Sequence, residues 1–388
     1  MDRGIRINNL FVFLIVGLFG LLWGIIPPFL WAAPSISSVS GTVSDGQTIT
    51  VGGAGFGANG PTIKIFDDFQ KGTNGNHIST AAGSAQVGQW DVAQGVTADT
   101  IYSTDYAHSG TQSVRFNYNY SDAMPCLGLD NIDGNPPNGV FASWWQYLPT
   151  NKDVPGTNGP EAPGLPNWKI FWLYNWTGAW YNDWIAAMLS NSLPTNACFG
   201  MMNDSLSNSF WPTPADGQWK ADTFIKGQWQ RYWFYLKAST TGDGVAALYS
   251  TNASSGFKNP FKNQATSTVA HPAYPWNRLH FPGFGRKDTN SILYYDDIYV
   301  ATGLYAQARV EIGNNATYSK CTNLTILTPT LWSDTSITAT VRPGSFINGS
   351  SAFLFVFDAN GALNTTGYPI TIGGPPPPAA PTGLKIVN

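Results

Sequence analysis

Few of the familiar arrangements of acid–base side chains occur in this 388-residue sequence. It contains only two glutamates, Glu161 and Glu311, and they are far apart in the chain. Glycoside hydrolysis needs two carboxylates flanking one bond, and no Asp-x-Asp strand takes the place of the missing glutamates. Nor does the sequence contain a His/Cys metal-ligand spacing, a nucleophile elbow or a phosphate-binding loop. The residue types therefore argue against most hydrolytic and metal-dependent enzymes.

Arginines interleaved with aromatic and amide side chains are the stronger signal. In residues 229–237 the alternation of a strand places Arg231, Trp233 and Tyr235 on one face, opposite the apolar side chains. Indole and phenol rings stack on sugar rings, and arginine and asparagine hydrogen-bond hydroxyls or carboxylates. The predicted ligand-binding residues are Arg115, Asn117, Trp172, Tyr174, Arg231, Trp233, Tyr235, Arg278 and His280. If their strands are neighbours in one sheet, these side chains converge on a single groove; the alternative is that the rings fill a core between sheets.

The composition indicates short strands rather than helices. Charged residues make up 11% of the chain, against about a quarter in ordinary soluble domains, while 41 glycines, 27 prolines and 14% aromatics take their place. Segments rich in β-branched and aromatic residues recur between Gly, Pro, Asn and Asp. The sequence therefore predicts an all-β protein. A formal net charge of −3 gives no basic surface, so we expect no nucleic-acid partner.

The first residues read as a targeting segment. Arg3 and Arg6 precede an uncharged apolar stretch that ends near Ala33. This pattern is typical of a signal peptide or an uncleaved membrane anchor, here residues 1–33. The rest of the chain is expected outside the cytoplasm, extracellular or at the cell surface, with membrane contact only through an uncleaved segment. Residues 374–388 read as a proline-rich linker and a stub.

Three cysteines are too few for a disulfide scaffold. In an oxidising compartment Cys126 and Cys198 could pair, which would leave Cys321 over. The alternative is three buried free thiols.

The two ends of the chain carry short strand and turn motifs. The segment "PSISSVSGTVSDGQTITVGGAGFG" at residues 34–57 and the Val-x-Ile-Gly and Trp-Ser-Asp-Thr-Ser-Ile-Thr segments of residues 308–373 together resemble one immunoglobulin-like domain of the IPT/TIG family. It implies that residues 34–66 and 303–373 are two halves of one domain. Residues 67–302 would then be inserted into one of its loops.

The middle of the chain contains three further motifs, "FDDF" at residues 66–69, "AHSGTQSVRFNY" at residues 107–118 and "SILYYDDIYVATG" at residues 291–303. With them it resembles the concanavalin A-like lectin/glucanase jelly roll, in the branch that includes polysaccharide lyases. The Gln-x-His strand and the Tyr-Lys-containing final strand of the alginate lyases of this fold are missing. A lyase would have to use His280 or a tyrosine as its base, with Arg231 and Arg278 neutralising a uronate. The alternative interpretation is that His280 has a structural role.

The resemblance also implies structural calcium between the first and last strands of the jelly roll. Asp67 and Asp68 lie on one of these strands and Asp296 and Asp297 on the other, with the turn at residues 109–111 as a source of carbonyl oxygens. Ligation by oxygen alone suits Ca²⁺; the alternative is that the paired aspartates end their strands in water.

Together these features predict a secreted or surface-tethered polysaccharide-binding protein, a lectin-like jelly roll set in an immunoglobulin-like domain. Two alternatives stay open. One is a polysaccharide lyase or glycoside hydrolase with an atypical site, and the other is a structural surface or adhesion protein. Exposure of the Trp/Arg face separates the first two from the third, and a cleft holding His280 with tyrosine and arginine in reach favours the enzyme.

Overall fold

The computed structural model describes residues 33–95, 99–119, 124–158, 167–176, 181–190, 198–203, 225–254, 256–266 and 276–374. These residues form antiparallel β-strands with one short 3-10 turn, Tyr318–Lys320, so the prediction of an all-β protein is confirmed. Apart from residues 33 and 374, the predicted targeting segment and C-terminal linker lie outside the described residues. No helix among the described residues has the length and apolar character needed to cross a membrane.

In chain order the described strands are β1 (Ser35–Ser40), β2 (Thr48–Ala54), β3 (Thr62–Asp67), β4 (Val87–Gly88), β5 (Val92–Gln94), β6 (Thr100–Ser103), β7 (Ser113–Asn117), β8 (Cys126–Gly134), β9 (Gly139–Tyr147), β10 (Asn167–Trp176), β11 (Tyr181–Ser190), β12 (Cys198–Asn203), β13 (Gln230–Lys237), β14 (Gly244–Thr251), β15 (Lys258–Thr266), β16 (Trp276–Phe281), β17 (Ile292–Gly303), β18 (Arg309–Gly313), β19 (Leu324–Trp332), β20 (Ser336–Thr340), β21 (Ser351–Phe357) and β22 (Tyr368–Thr371). They make three sheets.

Strands from both ends of the chain share the first sheet, whose order is β1-β2-β20-β19-β18-β21-β22. Thr48 of β2 pairs with Thr340 of β20, and Gly52 pairs with Ser336. Buried side chains from all seven strands form one hydrophobic cluster. We call this unit the seven-stranded module. It joins segments on either side of residues 62–303.

The intervening residues form a two-sheet sandwich, which we call the sandwich module. Its nine-stranded sheet runs β15-β14-β13-β9-β17-β3-β4, with β7 also paired to β17 and β6 to β7. Its six-stranded sheet runs β12-β11-β10-β16-β8-β5. Apolar side chains of both sheets meet in one core, among them Trp144, Phe171, Phe234 and Phe281.

Strand β3 belongs to the sandwich module. The sequence analysis predicted that β3 belongs to the first half of the immunoglobulin-like domain, with its boundary at residue 66. Phe66 instead pairs with Tyr299 of β17. The physical reason is that β17 offers β3 a full antiparallel ladder on the nine-stranded sheet, whereas β2 is already paired on both sides, with β1 and β20.

The outer face of the nine-stranded sheet packs against the seven-stranded module. Phe141, Trp233 and Tyr299 from the sandwich share a buried cluster with Leu324 and Phe355 of the other module. Because this contact is hydrophobic and continuous, the two modules form one packed unit.

The predicted disulfide between Cys126 and Cys198 is wrong. Cys126 is a buried free thiol at the start of β8. Cys198 begins β12, and three strands (β11, β10 and β16) lie between β12 and β8 in the sheet. Four inter-strand steps of about 4.8 Å each put the backbones roughly 19 Å apart, well beyond the roughly 7 Å limit for a disulfide.

Candidate functional site

The predicted ligand-binding residues do not converge on one groove. β7 and β13 belong to the nine-stranded sheet, whereas β10 and β16 are neighbours in the six-stranded sheet. Since the hydrophobic core lies between these two sheets, side chains that point away from it emerge on opposite sides of the sandwich. The predicted convergence is therefore wrong, and the set divides into three groups.

The first group lies under the seven-stranded module. Arg231 is 1% exposed, and its Nη1 is 2.7 Å from Oε2 of Glu311 on β18. Trp233 is also buried and stacks on Tyr249, with ring centroids 5.1 Å apart. An open ligand face at Arg231 and Trp233 is therefore wrong, because the second module covers them and supplies the carboxylate. Tyr235 is nearly buried at the edge of the same contact.

The second group consists of Arg115 and Asn117 on β7. Arg115 is half-buried and sits between Ile101 and Tyr294 in the strand pairing. Asn117 is buried, and its Oδ1 accepts the N–H of Asn119, which closes the end of the strand. Asn117 thus has a structural role, and neither residue lies near the six-stranded sheet.

The third group does come together. On β10, Trp172 and Tyr174 point away from the sandwich core, whereas Phe171 and Leu173 point into it. The rings of Trp172 and Tyr174 are stacked with centroids 4.3 Å apart. Trp176, two residues further on, meets Tyr174 edge-on at 6.4 Å. We call these three rings the aromatic face of the six-stranded sheet.

Strand β16 contributes the polar side chains beside the aromatic face. In the β10–β16 register Trp172 pairs with His280 and Tyr174 with Arg278. The Tyr174 hydroxyl is 3.3 Å from Nε2 of His280. A Cβ at Gly128 would come within 2.5 Å of the His280 ring, so only glycine there leaves space for the imidazole. The structure therefore does place His280 with a tyrosine and an arginine.

Arg278 is held in place by two contacts. Its guanidinium forms an ion pair with Asp130 on β8 through Nε and Nη2. It also lies over the Trp176 ring, 5.0 Å from the centroid. The Arg278 side chain stays 20% exposed. The carboxylate therefore balances its charge while the guanidinium stays over the Trp176 ring.

His280 and Tyr174 are both uncharged at physiological pH. Burial, together with the positive charge of Arg278, lowers the pKa of His280 to about 3. Burial raises the pKa of Tyr174 above its ordinary value, although Arg278 acts against this. The pair consequently offers a neutral imidazole and an intact phenol O–H.

The floor and the rim of this face differ in exposure. Trp172 and Tyr174 are only 7% and 3% exposed, and they form the floor. Trp176 and Arg278 are half-buried at one end. At the other end the Lys169 ammonium lies 5.5 Å from the Trp172 ring centroid and 4.8 Å from that of Phe284, which is 38% exposed. Aromatic rings and cationic side chains therefore line both ends.

Sequence reasoning missed the rim residues Lys169, Asp130 and Phe284. The outward position of Lys169 could not be predicted from alternation, because a β-bulge shifts the β10–β11 register between Lys169 and Phe171. Strict alternation therefore fails there, and Trp168 lies in the sandwich core although it is four residues before Trp172. Asp130 gave no local signal, since its partner Arg278 is 148 residues away.

The four aspartates expected to bind calcium are engaged with hydrogen-bond donors. Asp67 accepts the N–H groups of Phe69 and Trp90. Asp296 accepts the backbone N–H groups of residues 108 and 109. Asp297 is bonded to Ser109 Oγ and faces His108 Nδ1. Within the described part of the chain, no three His, Cys, Asp or Glu side chains group as a metal site.

A glutamine amide occupies the place where the carbonyl oxygens converge. Nε2 of Gln70 lies 2.7 Å from the carbonyl oxygens of Asp68 and Gln112 and 3.4 Å from that of Ser109. Its Oε1 accepts the N–H of Thr111. An N–H donor already satisfies the oxygens that a cation would need, so the residues as placed do not fit a Ca²⁺ ion.

No protein-family model and no curated protein sequence matches this chain. Solved structures do match. The alginate lyase Aly36B is 12% identical with a TM-score of 0.41, covering 62% of this chain and 97% of its own. The endo-beta-1,4-glucuronan lyase from the fungus Trichoderma reesei is 12% identical with a TM-score of 0.34, covering 56% and 92%. The CBM22-1 xylan-binding domain from Paenibacillus barcinonensis is 9% identical with a TM-score of 0.29, covering 63% and 97%. At such identities the likeness concerns the fold alone.

Proposed function

We propose that this protein binds a polysaccharide across the aromatic face of the six-stranded sheet. The observation that carries the proposal is the run of Trp172, Tyr174 and Trp176 along one side of β10, with a cationic side chain at each end. Aromatic rings turned away from a sandwich core, with cations beside them, suit the C–H faces and hydroxyls of sugars.

The rim determines which sugars fit. Arg278 has five N–H donors. Asp130 engages two of its nitrogens, Nε and Nη2, and the guanidinium also hydrogen-bonds the Tyr174 hydroxyl, so the N–H groups that are left would serve sugar hydroxyls. Lys169 adds a positive charge at the other end of the face. A hydroxyl-rich or acidic polysaccharide lying along the strand direction of β10 would meet the Trp176 ring at one end and the Phe284 ring at the other, each beside a cationic side chain.

A polysaccharide lyase is the second candidate, because the Tyr174 hydroxyl and His280 Nε2 are 3.3 Å apart. In such an enzyme the neutral imidazole or the phenol would take the proton next to a uronate carboxylate. Binding without chemistry is favoured for two reasons. The charge of Arg278 is already balanced by Asp130, and both members of the Tyr174–His280 pair are almost fully buried.

The setting of this site is also part of the proposal. The apolar N-terminal segment would export the chain, so that the protein acts outside the cell or at its surface. The seven-stranded module would be an immunoglobulin-like domain of IPT/TIG type, interrupted by the sandwich module. The pairing of β2 with β20 supports this arrangement. A purely structural surface protein is the remaining alternative.

Affinity electrophoresis in gels containing alginate, polygalacturonate, xylan or soluble cellulose tests the proposal. We expect the full chain to be retarded by at least one of them. Trp176→Ala should weaken retention at least tenfold, which is roughly 1.4 kcal/mol. Leu331→Ala is the matched control, because Leu331 is an exposed apolar residue of the other module. If none of the four gels retards the protein, or if wild type and Trp176→Ala are retarded equally, binding at this face is contradicted.

The same samples test the lyase alternative. Lyases leave an unsaturated sugar that absorbs in the ultraviolet, so an absorbance that rises with time, and stops in Tyr174→Phe, would replace the binding proposal with the enzyme. A flat trace together with retention supports a binding protein.

A further inference from the structure

A cavity of about 540 Å³ lies where the two modules join. Three loops line it: residues 57–59 after β2, residues 304–307 between β17 and β18, and residues 358–360 after β21. Its sandwich side is formed by Tyr235, Lys237 and Val245 on the outer face of the nine-stranded sheet. The cavity is therefore on the opposite side of the sandwich from the aromatic face, and its volume is in the range of small-ligand pockets.

The cavity combines apolar walls with polar groups. Tyr235, Tyr305 and Leu304 contribute apolar surface, and Leu304 is 52% exposed. Asn59, Gln307 and Asn360 add side-chain amides. Burial raises the pKa of Tyr235 to about 12, so its hydroxyl keeps its proton. The residue lines the cavity.

The charges in the lining exclude an anionic ligand. Lys237 is paired with Asp243 at 2.7 Å. Asp358 keeps a carboxylate in the wall, and its Oδ1 accepts the N–H groups of Asn360 and Ala362. Lys237, Asp243 and Asp358 together carry one net negative charge, and the one cation of the lining is already paired. A uronate or phosphate would gain no opposing charge here.

We propose that this inter-module cavity is a second glycan site, one that takes a neutral, hydroxyl-rich sugar. The pyranose ring would lie against Tyr305 and Leu304, since sugar C–H faces match apolar and aromatic surface. The Tyr235 hydroxyl and the side-chain amides would hydrogen-bond the sugar hydroxyls. Its selectivity for uncharged sugars separates it from the aromatic face, where the Lys169 ammonium suits acidic ones.

A ligand in this cavity would touch both modules at once. The chain passes between the modules only between β2 and β3 and between β17 and β18, and residues of both connections line the cavity. A sugar bound there is therefore expected to stabilise the docking of the modules as well as to bind, through ligand-linked stabilisation of the folded state.

Saturation-transfer NMR and calorimetry on the full chain, with cellotetraose, xylotetraose and mannotetraose as probes, test the proposal. We expect at least one neutral tetrasaccharide to bind and to raise the melting temperature, and tri-galacturonate not to compete with it. Tyr235→Phe removes one donor without changing shape, and Leu304→Ala removes an exposed wall. Each should weaken binding at least fivefold.

Two control variants separate this site from the aromatic face. Leu331→Ala, a comparably exposed leucine away from the cavity, should leave binding unchanged. Trp176→Ala removes the exposed end of the aromatic face, so binding that persists in this variant and is weakened by Tyr235→Phe or Leu304→Ala belongs to the cavity. If no neutral tetrasaccharide binds, or if Trp176→Ala abolishes binding while Tyr235→Phe and Leu304→Ala leave it intact, the second site does not exist.

Discussion

Arg231 Nη1 and Glu311 Oε2 lie 2.7 Å apart across the contact between the two modules, and both side chains are closed off from water. Arg309 shares the same carboxylate, and the Tyr318 hydroxyl donates to it at 3.0 Å. Burial alone would raise the pKa of Glu311, but the charges of Arg231 and Arg309 lower it below its ordinary value. One carboxylate thus compensates two guanidinium groups.

This triad predicts which substitution lowers the unfolding free energy most. Glu311→Gln leaves two buried arginines uncompensated and should cost about 3–5 kcal/mol of unfolding free energy. Arg231→Met leaves Glu311 its partner Arg309, so it should cost less. Urea unfolding measures both, with Lys237→Met in the exposed Lys237–Asp243 pair as the control that leaves the midpoint unchanged. A Glu311→Gln variant no less stable than Arg231→Met would contradict the triad.

Asp67 predicts an unusual pH dependence. Burial raises its pKa to about 7, whereas the pKa of an aspartate in the unfolded chain is about 4. Between these values the folded state holds a proton that the unfolded state has released, so this group's contribution to stability falls as pH rises from about 4 to about 7. Asp67→Asn should remove that contribution.

The measurement is the unfolding free energy across this window in wild type and in Asp67→Asn. His280 acts in the opposite direction, because the unfolded chain protonates it more readily, so the difference between the two proteins is the test. Asp45→Asn, at a carboxylate that is 66% exposed, is the control. Parallel curves for wild type and Asp67→Asn would show that Asp67 titrates normally.

Gln70 predicts how the protein responds to calcium. Gln70→Glu puts a carboxylate oxygen against the carbonyl oxygens of Asp68 and Gln112. This should lower the melting temperature without a cation, and millimolar Ca²⁺ should restore it, since the site would then consist of oxygens alone. Wild type should melt identically in EGTA and in Ca²⁺. A calcium-dependent melt of the wild type would show that the ion binds despite the amide.

His280 should stay neutral over the whole physiological range, since its pKa is lowered to about 3. We expect its imidazole NMR signals, assigned with a His280→Gln variant, to show no titration between about pH 5 and about pH 8, where an unperturbed histidine changes charge. A midpoint inside that range would mean that the face opens to water far more than its burial indicates.

Local sequence predicts the orientation of side chains but not what faces them. On β13, alternation correctly assigned Tyr232, Phe234 and Leu236 to the sandwich core. The opposite face looked like a ligand surface because Glu311, the partner of Arg231, is 80 residues further along the chain. Which sheet covers a strand depends on long-range packing, and strand periodicity contains no information about it.

The candidate site shows the same division. Alternation turned Tyr174 and His280 outward on separate strands, but their 3.3 Å contact depends on β10 and β16 being neighbours across 106 residues. Motif resemblance suggested a calcium site from the two aspartate pairs. It did not identify the side-chain amide of Gln70. An N–H donor in place of an oxygen changes which ligand the site can bind, but it does not change the strand pattern in the sequence.

Finally, β1 and β22 are the two edge strands of the seven-stranded sheet, and both crossings into the sandwich leave from within that module. A mechanical load applied to the chain at residues 33 and 374 would run through the seven-stranded module alone. The backbone hydrogen bonds that join Val43 to Gly373 and Gly374 would bear that load first, followed by the pairing of β2 with β20. The sandwich would lie beside the line of force, so that a ligand bound to it would not be loaded when the seven-stranded module is pulled.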